Sequence, residues 1–323
     1  MKTKQLFCLF FALFLIFLCG CVEEYPEPVF DPTSVEKEMR EKVGIEENSG
    51  VFFTLYNDMT CHVSEMEAEN LTSLAIEIPA YYADYKVVAI EEEVFRGANI
   101  TSVTLPEGLL TIGDRAFQKS TIEKINLPAS LESIGEECFD NCLSLKEITI
   151  GENLKNIPLG AFSGCRSLES LTLSEGVETI GEEAFSSLSS LKKLTLPQSL
   201  REIGPYAFFS TGTSQLEIVI PETVEKIGKD ALKGTAFLKK QKDEFVLVGK
   251  GVLILYQGSA KELTLPENTL YLSNAFDKSA VETLTLNAGL TGICENALEE
   301  AQVKKVLYSG DNKEIKNAVK DYQ

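Results

Sequence analysis

The chain has 323 residues, 44% of them hydrophobic and 24% charged, which is the composition of a folded protein of one long or two ordinary domains. Its 30 Lys and Arg stand against 49 Asp and Glu, a net charge of −19, and so the basic footprint that nucleic-acid binding needs is missing. With one histidine and no tryptophan, little is left for histidine catalysis.

The start reads as an export signal. Lys2 and Lys4 precede Leu6–Leu18, an unbroken apolar run of 13 residues. At ~1.5 Å per residue such a helix reaches about 20 Å, short of a ~30 Å hydrocarbon core. That length suits the core of a signal peptide. The run ends in Leu18-Cys19-Gly20-Cys21, which resembles the lipobox of bacterial lipoproteins. The resemblance implies cleavage after Gly20 and lipid attachment at Cys21; the alternative is ordinary signal-peptidase cleavage nearby, with Cys21 a bystander. Loss of Lys2 and Lys4 takes the charge from −19 to −21. Glu23 and Glu24 then either resemble a surface-transfer signal of some Gram-negative lipoproteins or simply solvate a tether.

Residues 21–44 form an acidic tether. Pro26, Pro28 and Pro32 keep it extended. Thr33 with Glu36, then Val35, Met39 and Val43, predict a short helix ending at Gly44. An N-terminal cap follows over 45–87. Val51–Tyr56 and Cys61–Val63 predict a hairpin, and Ile76–Pro79 a degenerate first strand.

A repeat fills 88–310. Its anchor is Ala-Phe, as in Ala116-Phe117, Ala161-Phe162, Ala184-Phe185, Ala207-Phe208 and Ala275-Phe276. Variants are Val94-Phe95, Cys138-Phe139, Ala231-Leu232 and Ala297-Leu298, and successive anchors lie 22, 22, 23, 23, 23, 24, 44 and 22 residues apart. Between them recurs Leu-x-x-Leu-x-Leu, as in Leu168, Leu171, Leu173 and Leu191, Leu194, Leu196. Its last three positions alternate apolar, polar, apolar, as a strand with one buried face does. Pro106, Pro128, Pro197, Pro221 and Pro266 end those strands. A period of 20 to 29 residues with this core predicts a leucine-rich, β-rich solenoid of about nine coils, a short strand and a short helical turn in each.

From the anchor ring to the next strand is five, six or seven residues, except once, so this arc tolerates variation. The 44-residue interval reads as one ordinary coil plus about 22 inserted residues near 233–259. In it, Phe245–Val248, Gly249-Lys250-Gly251 and Val252–Tyr256 predict a hairpin, either a packed flap or an exposed sticky loop. The seven anchor phenylalanines are expected to form a column of rings. Cys138 occupies an alanine slot as a small hydrophobe. Cys142 and Cys165, each three residues past a phenylalanine, either pair as a disulfide or satisfy turn carbonyls with free thiols. In 311–323, Ile315, Val319 and Tyr322 predict a closing helix.

Ile-Gly-x-x-Ala-Phe, a Cys or polar turn and Leu-x-x-Leu-x-Leu-Pro together make the chain resemble the BspA-like branch of the leucine-rich repeat proteins over residues 45–310. Pro158, Ser273 and Cys294 depart from its glycine, and Leu232 and Leu298 from its phenylalanine. The resemblance implies an exported or surface-attached bacterial protein, with adhesion to host matrix or bacterial proteins among the family's roles. It implies no cofactor.

No constellation points to catalysis. Cys61 and His62 are adjacent, so on one strand they face opposite ways. Clustered zinc ligands, phosphate loops and nucleophile elbows are absent from the sequence. A binding face is easier to place. The outward strand positions Thr104, Asn126, Thr149, Thr172, Thr195, Val219, Thr264 and Thr285 would align in a ladder. Two residues earlier run Ser102, Lys124, Glu147, Ser170, Lys193, Glu217, Glu262 and Thr283, with Lys124 expected beside Glu147 and Lys193 beside Glu217. Lys124, Glu147, Thr149, Thr172, Lys193, Thr195 and Glu217 are therefore the candidate binding residues. A face without aromatics suits a polar protein partner better than a sugar. The expectation is a monomeric outer-membrane lipoprotein, surface-exposed, held by its lipid alone and binding protein; the alternative is a charged spacer without a ligand.

Overall fold

The computed structural model describes residues 41–43, 51–56, 58–66 and 75–322. The signal peptide, Cys21, the proline tether and the expected helix up to residue 40 lie outside the described residues. Glu41–Val43, where that helix was expected to end, is instead a strand antiparallel to Val51–Leu55.

Two parallel ladders run the length of a solenoid. The first is built of the Leu-x-x-Leu-x-Leu strands, in three groups. They are Ala75–Glu77, Ser102–Thr104 and Lys124–Asn126, then Glu147–Ile150, Ser170–Leu173 and Lys193–Thr195, then Glu262–Thr264, Thr283–Leu286 and Lys305–Tyr308. Inward residues such as Val103, Ile125, Ile148 and Leu171 are buried, and their neighbours in the strand face out. The second ladder consists of two-residue strands ending on the isoleucine of Ile-Gly, such as Thr111–Ile112, Thr179–Ile180 and Glu202–Ile203. A glycine follows because the coils approach closely there. A Cβ on Gly204 would stand 2.7 Å from the Gly181 carbonyl carbon.

Between the second ladder and the next strand the chain turns through an arc with two left-handed residues per coil, finer than the short helical turn expected. Glu93 and Gly97 adopt φ of +59° and +66°, Arg115 and Lys119 +53° and +59°, Glu183 and Ser187 +53° and +61°. Left-handed backbone costs a non-glycine residue roughly 1–2 kcal/mol. Hydrogen bonding between coils offsets it. Phe95, Phe117, Phe139, Phe162, Phe185 and Phe208 each donate their N–H to the next coil's anchor carbonyl, and the residues two before and two after each donate likewise. The arc is thus a third hydrogen-bonded wall, although it contains no strand.

Inside, Phe95, Phe117, Phe139, Phe162, Phe185 and Phe208 stack with centroids 5.0–5.6 Å apart and planes within 19°. The seventh ring stands apart from this column, because Phe276 packs instead on Tyr256 at 5.7 Å.

Arc length decides where the first ladder breaks. From ring to strand core is five residues in Phe95–Ile100 and Phe117–Ile122, and six in Phe139–Leu145, Phe162–Leu168 and Phe185–Leu191. Each constant value coincides with one continuous sheet. One extra residue changes the register, and pairing stops between Lys124–Asn126 and Glu147–Ile150. The longer arc after Phe208 has a similar effect: Leu216–Ile220 pairs with no strand. The second ladder breaks at the first of these junctions for its own reason. Pro158 occupies the glycine slot, so the N–H that Gly135 and Gly181 give to Ile112 and Ile157 is missing. The arc bonds, such as Phe139 to Ala161, hold that junction together.

The insert is neither a flap nor an exposed loop. Its hairpin, Phe245–Val248 with Val252–Tyr256, forms as expected, but the second strand pairs in parallel with Tyr271–Leu272 as a rung of the second ladder. Val252, Leu253, Ile254 and Tyr256 are buried. Tyr256 N–H donates to Ala275, the bond that an anchor phenylalanine makes elsewhere, so the insert supplies half a coil with Tyr256 in the ring slot.

Val51–Leu55 and Thr60–Met66 form an antiparallel hairpin, and Thr60–Met66 continues into the second ladder through Tyr85–Ile90. At the far end the helix Lys313–Ala318, capped by Asn312, buries Ile315, with Val319 buried just beyond it.

Candidate binding face

The outward side of the first ladder carries the candidate residues. In its central sheet Thr149, Thr172 and Thr195 are in register, as are Glu147, Ser170 and Lys193. Thr172 is half-buried; Thr149, Thr195, Glu147 and Lys193 are exposed. Lys124 lies across the first break, exposed on the edge strand of the preceding sheet. Glu217 lies across the second, in the segment that pairs with no strand, beside Val219, which is 79% exposed. The structure therefore brings Glu147, Thr149, Thr172, Lys193 and Thr195 onto one sheet and sets Lys124 and Glu217 at its two margins.

The expected ion pairs Lys124–Glu147 and Lys193–Glu217 do not form. Both would cross a break in the ladder. Instead the ion pairs sit one residue earlier, where the chain enters each strand: Glu123–Lys146 at 2.9 Å, Glu169–Lys192 at 2.8 Å, and Glu282 with both Lys261 at 3.0 Å and Lys304 at 2.7 Å. Hydrogen bonding from Lys304 and Lys261 brings the Glu282 carboxyl down to about 2. Lys192 lowers Glu169 in the same way. These groups are exposed and screened by solvent, so the pairs contribute little to stability. Their effect is to lay fixed, alternating charge along one border of the threonine face.

The first break opens a cleft of ≈ 360 Å³ on this face. Asn126, Glu147, Thr149 and Ser170 line it, with Gly151 standing where the coil before it carries Pro128. A cleft with a carboxylate, an amide and two hydroxyls suits a polar, hydrogen-bonding surface on a partner.

The remaining reactive side chains serve packing. Cys142 and Cys165 are free thiols that donate to the carbonyls of Phe117 and Phe139, both at 3.0 Å. Thr211 does the same toward Phe185, whereas Thr235 donates to the Leu232 carbonyl of its own coil. The hydrogen bond with Cys142, with burial, pushes Cys165 well up, and burial pushes Cys138 up. Cys61 is buried and raised to about 11, while the adjacent His62 turns the other way. There it meets Tyr56 Oη at 3.0 Å and Glu91 at 3.3 Å, a cluster that joins the N-terminal hairpin to the first coil. The sequence signals none of it, because Tyr56 and Glu91 are 35 residues apart. Among the described residues no group of three or more His, Cys, Asp or Glu is placed to hold a metal ion, and no helix is long and apolar enough to cross a membrane.

Comparison with known proteins supports this architecture. A leucine-rich cell surface protein of Faecalibacterium prausnitzii A2-165 is 24% identical, with a TM-score of 0.57, covering 84% of this chain and 76% of its own. The pneumococcal vaccine antigen PcpA is 24% identical, with a TM-score of 0.51, over 83% of this chain and 71% of its own. A leucine-rich repeat protein of Eubacterium ventriosum ATCC 27560 is 24% identical, with a TM-score of 0.52, over 62% of this chain and 51% of its own. At this identity these likenesses establish the fold. No curated protein matches the chain. The family model for the BspA type leucine rich repeat region, six copies, matches residues 88–215 and 209–321. The chain belongs to the BspA-type leucine-rich repeat family.

Proposed function

We propose that the protein is an exported, lipid-anchored module that binds another protein at the cell envelope through the threonine face of its first ladder. The observation that carries this reading is the exposed central sheet, with Thr149, Thr172 and Thr195 in register, Glu147 and Lys193 on the same rungs, and a polar cleft at its edge. A rigid parallel sheet presents such groups with little conformational entropy left to lose on binding. Lipid at Cys21 would place that face outside the outer membrane, where host matrix or bacterial surface proteins are the partners. The chain needs no cofactor for this and acts as a monomer.

The test is binding of the mature chain to immobilised extracellular-matrix proteins and to whole bacterial cells. Saturable binding that is lost when Glu147→Lys and Lys193→Glu are combined supports the face. Binding that survives this double reversal places the contact elsewhere. If any acidic solenoid of equal length reproduces the cellular phenotype, the protein is a charged spacer.

A further inference from the structure

Where the insert replaces a coil, the arc wall has a gap. At six successive junctions, from the coil of Phe95 to that of Leu232, an arc donates three N–H groups, two residues apart, to three carbonyls of the next arc. The coil of Leu232 offers the same three donors at Asp230, Leu232 and Gly234. The strand Val252–Tyr256 that follows it fills the second ladder and the ring slot, but it runs on to Lys261 without an arc. The next arc, around Phe276, is therefore two rungs away. Side chains span the doubled distance at both ends: Asn274 receives the Asp230 N–H at 2.9 Å and donates to its carboxylate at 2.7 Å, while Lys233 reaches both Asp230 at 2.8 Å and Asp277 at 3.4 Å.

Between these bridges lies a notch of ≈ 240 Å³, with Leu238, Ile254 and Leu255 among its lining residues. Leu232, which lines the notch, is only 3% exposed, yet its N–H has no hydrogen-bond partner among the described residues, nor has that of Gly234, exposed at the notch's margin. A buried backbone donor left unpaired is rare, because it costs the full desolvation of that group.

We infer that this notch is a peptide-binding site, which takes a short extended segment of a partner protein in place of the absent arc. The chain's own junctions show what fits. Leu232 and Gly234 correspond to Phe208 and Ser210 one coil earlier, whose N–H groups are received by the carbonyls of Ala231 and Lys233, two residues apart on one backbone. A polypeptide supplies two carbonyls at that spacing. It also brings N–H groups for the Asp277 carbonyl on the opposite wall, which receives no hydrogen bond among the described residues. The apolar side chains beneath suit small aliphatic residues. This deepens the reading of the protein as a binding module and rests on it for the word partner, but its test is independent of the threonine face.

The experiment uses the full chain labelled with ¹⁵N, hydrogen exchange of the free protein, and titration with the capped tripeptide acetyl-Ala-Ala-Ala-amide. The free Leu232 amide should exchange roughly tenfold or more faster than that of Phe208. The tripeptide should shift the Leu232 and Gly234 amides saturably. Leu255→Trp, which fills the notch, should weaken that response roughly tenfold, with Leu255→Phe as the gentler variant if tryptophan unfolds the insert. A Leu232 amide as protected as Phe208, or no shift at either amide, overturns the inference. Equal shifts produced by sodium acetate, which has one carboxylate and no second carbonyl at that spacing, reduce the notch to an anion site and overturn it too.

Discussion

Replacing Phe162 tests the ring column at an interior position. The side chain is fully buried between Phe139, 5.1 Å away and 5° from parallel, and Phe185, 5.6 Å away and 13° from parallel. A Phe→Ala change in a core costs ~3–5 kcal/mol. Each stacked pair contributes about 0.5–1.5 kcal/mol beyond buried area, and two pairs are lost here. Phe162→Ala should therefore fall at the upper end, about 4–5 kcal/mol. Phe95→Ala loses only its stack on Phe117 and should cost about 0.5–1.5 kcal/mol less. Phe162→Leu should cost only about 1–2 kcal/mol, because the chain itself places Leu232 and Leu298 in this slot and keeps them buried. Urea unfolding followed by circular dichroism and by amide protection reads all three, since a stack of coils can lose its cooperativity at a weakened junction. A Phe162→Ala cost under about 2 kcal/mol, or a Phe162→Leu cost equal to it, would refute the reasoning.

Four further outcomes follow from the same geometry. Gly135→Ala should destabilise by about 1–3 kcal/mol, because its Cβ would stand 2.3 Å from the Asp114 backbone nitrogen; thermal unfolding measures it. Inserting one glycine after Arg166 lengthens a six-residue arc to seven and should strip amide protection from Ser170–Leu173, as the arc after Phe208 has no paired strand. Glu282, depressed by Lys304 and Lys261, should titrate near pH 2 by NMR. Because its folded pKa lies below its unfolded value, its contribution is complete above about pH 4.5 and is lost as pH falls toward 2; Lys304→Ala with Lys261→Ala should return the midpoint to the ordinary carboxylate range. Cys138, Cys142 and Cys165 should resist iodoacetamide at pH 8 in the folded chain and react in urea, because all three thiols are buried.

What the sequence makes legible is whatever side-chain chemistry marks. Apolar alternation and Ala-Phe anchors reveal the strands, the ring column, the hairpins at 51–66 and 245–256 and the closing helix. Backbone conformation is marked by glycine only where glycine is used. Glu93, Arg115, Glu183 and Tyr206 adopt the same left-handed turn without any residue-type signal. Two-residue strands such as Glu202–Ile203 are too short for a visible period. The border charges were legible in principle, since Glu123, Lys146, Glu169 and Lys192 alternate in sign at one repeat position. The outward column two residues before the threonines instead suggests Lys124 and Lys193, and the changing arc length breaks pairing at both places. The insert carries its own clue in its length of about 22 residues, one coil period, but Tyr256 without a preceding alanine hides the ring slot.

The account's central claim is a lipid-held solenoid that presents its face outside the cell. Protease treatment of intact cells, with lipid labelling at Cys21 read in the same samples, tests it most directly. The account predicts a labelled chain that is digested from outside, and a Cys21→Ala variant that is unlabelled and released. A chain protected until the outer membrane is opened, or a Cys21→Ala variant that stays membrane-bound, would contradict it.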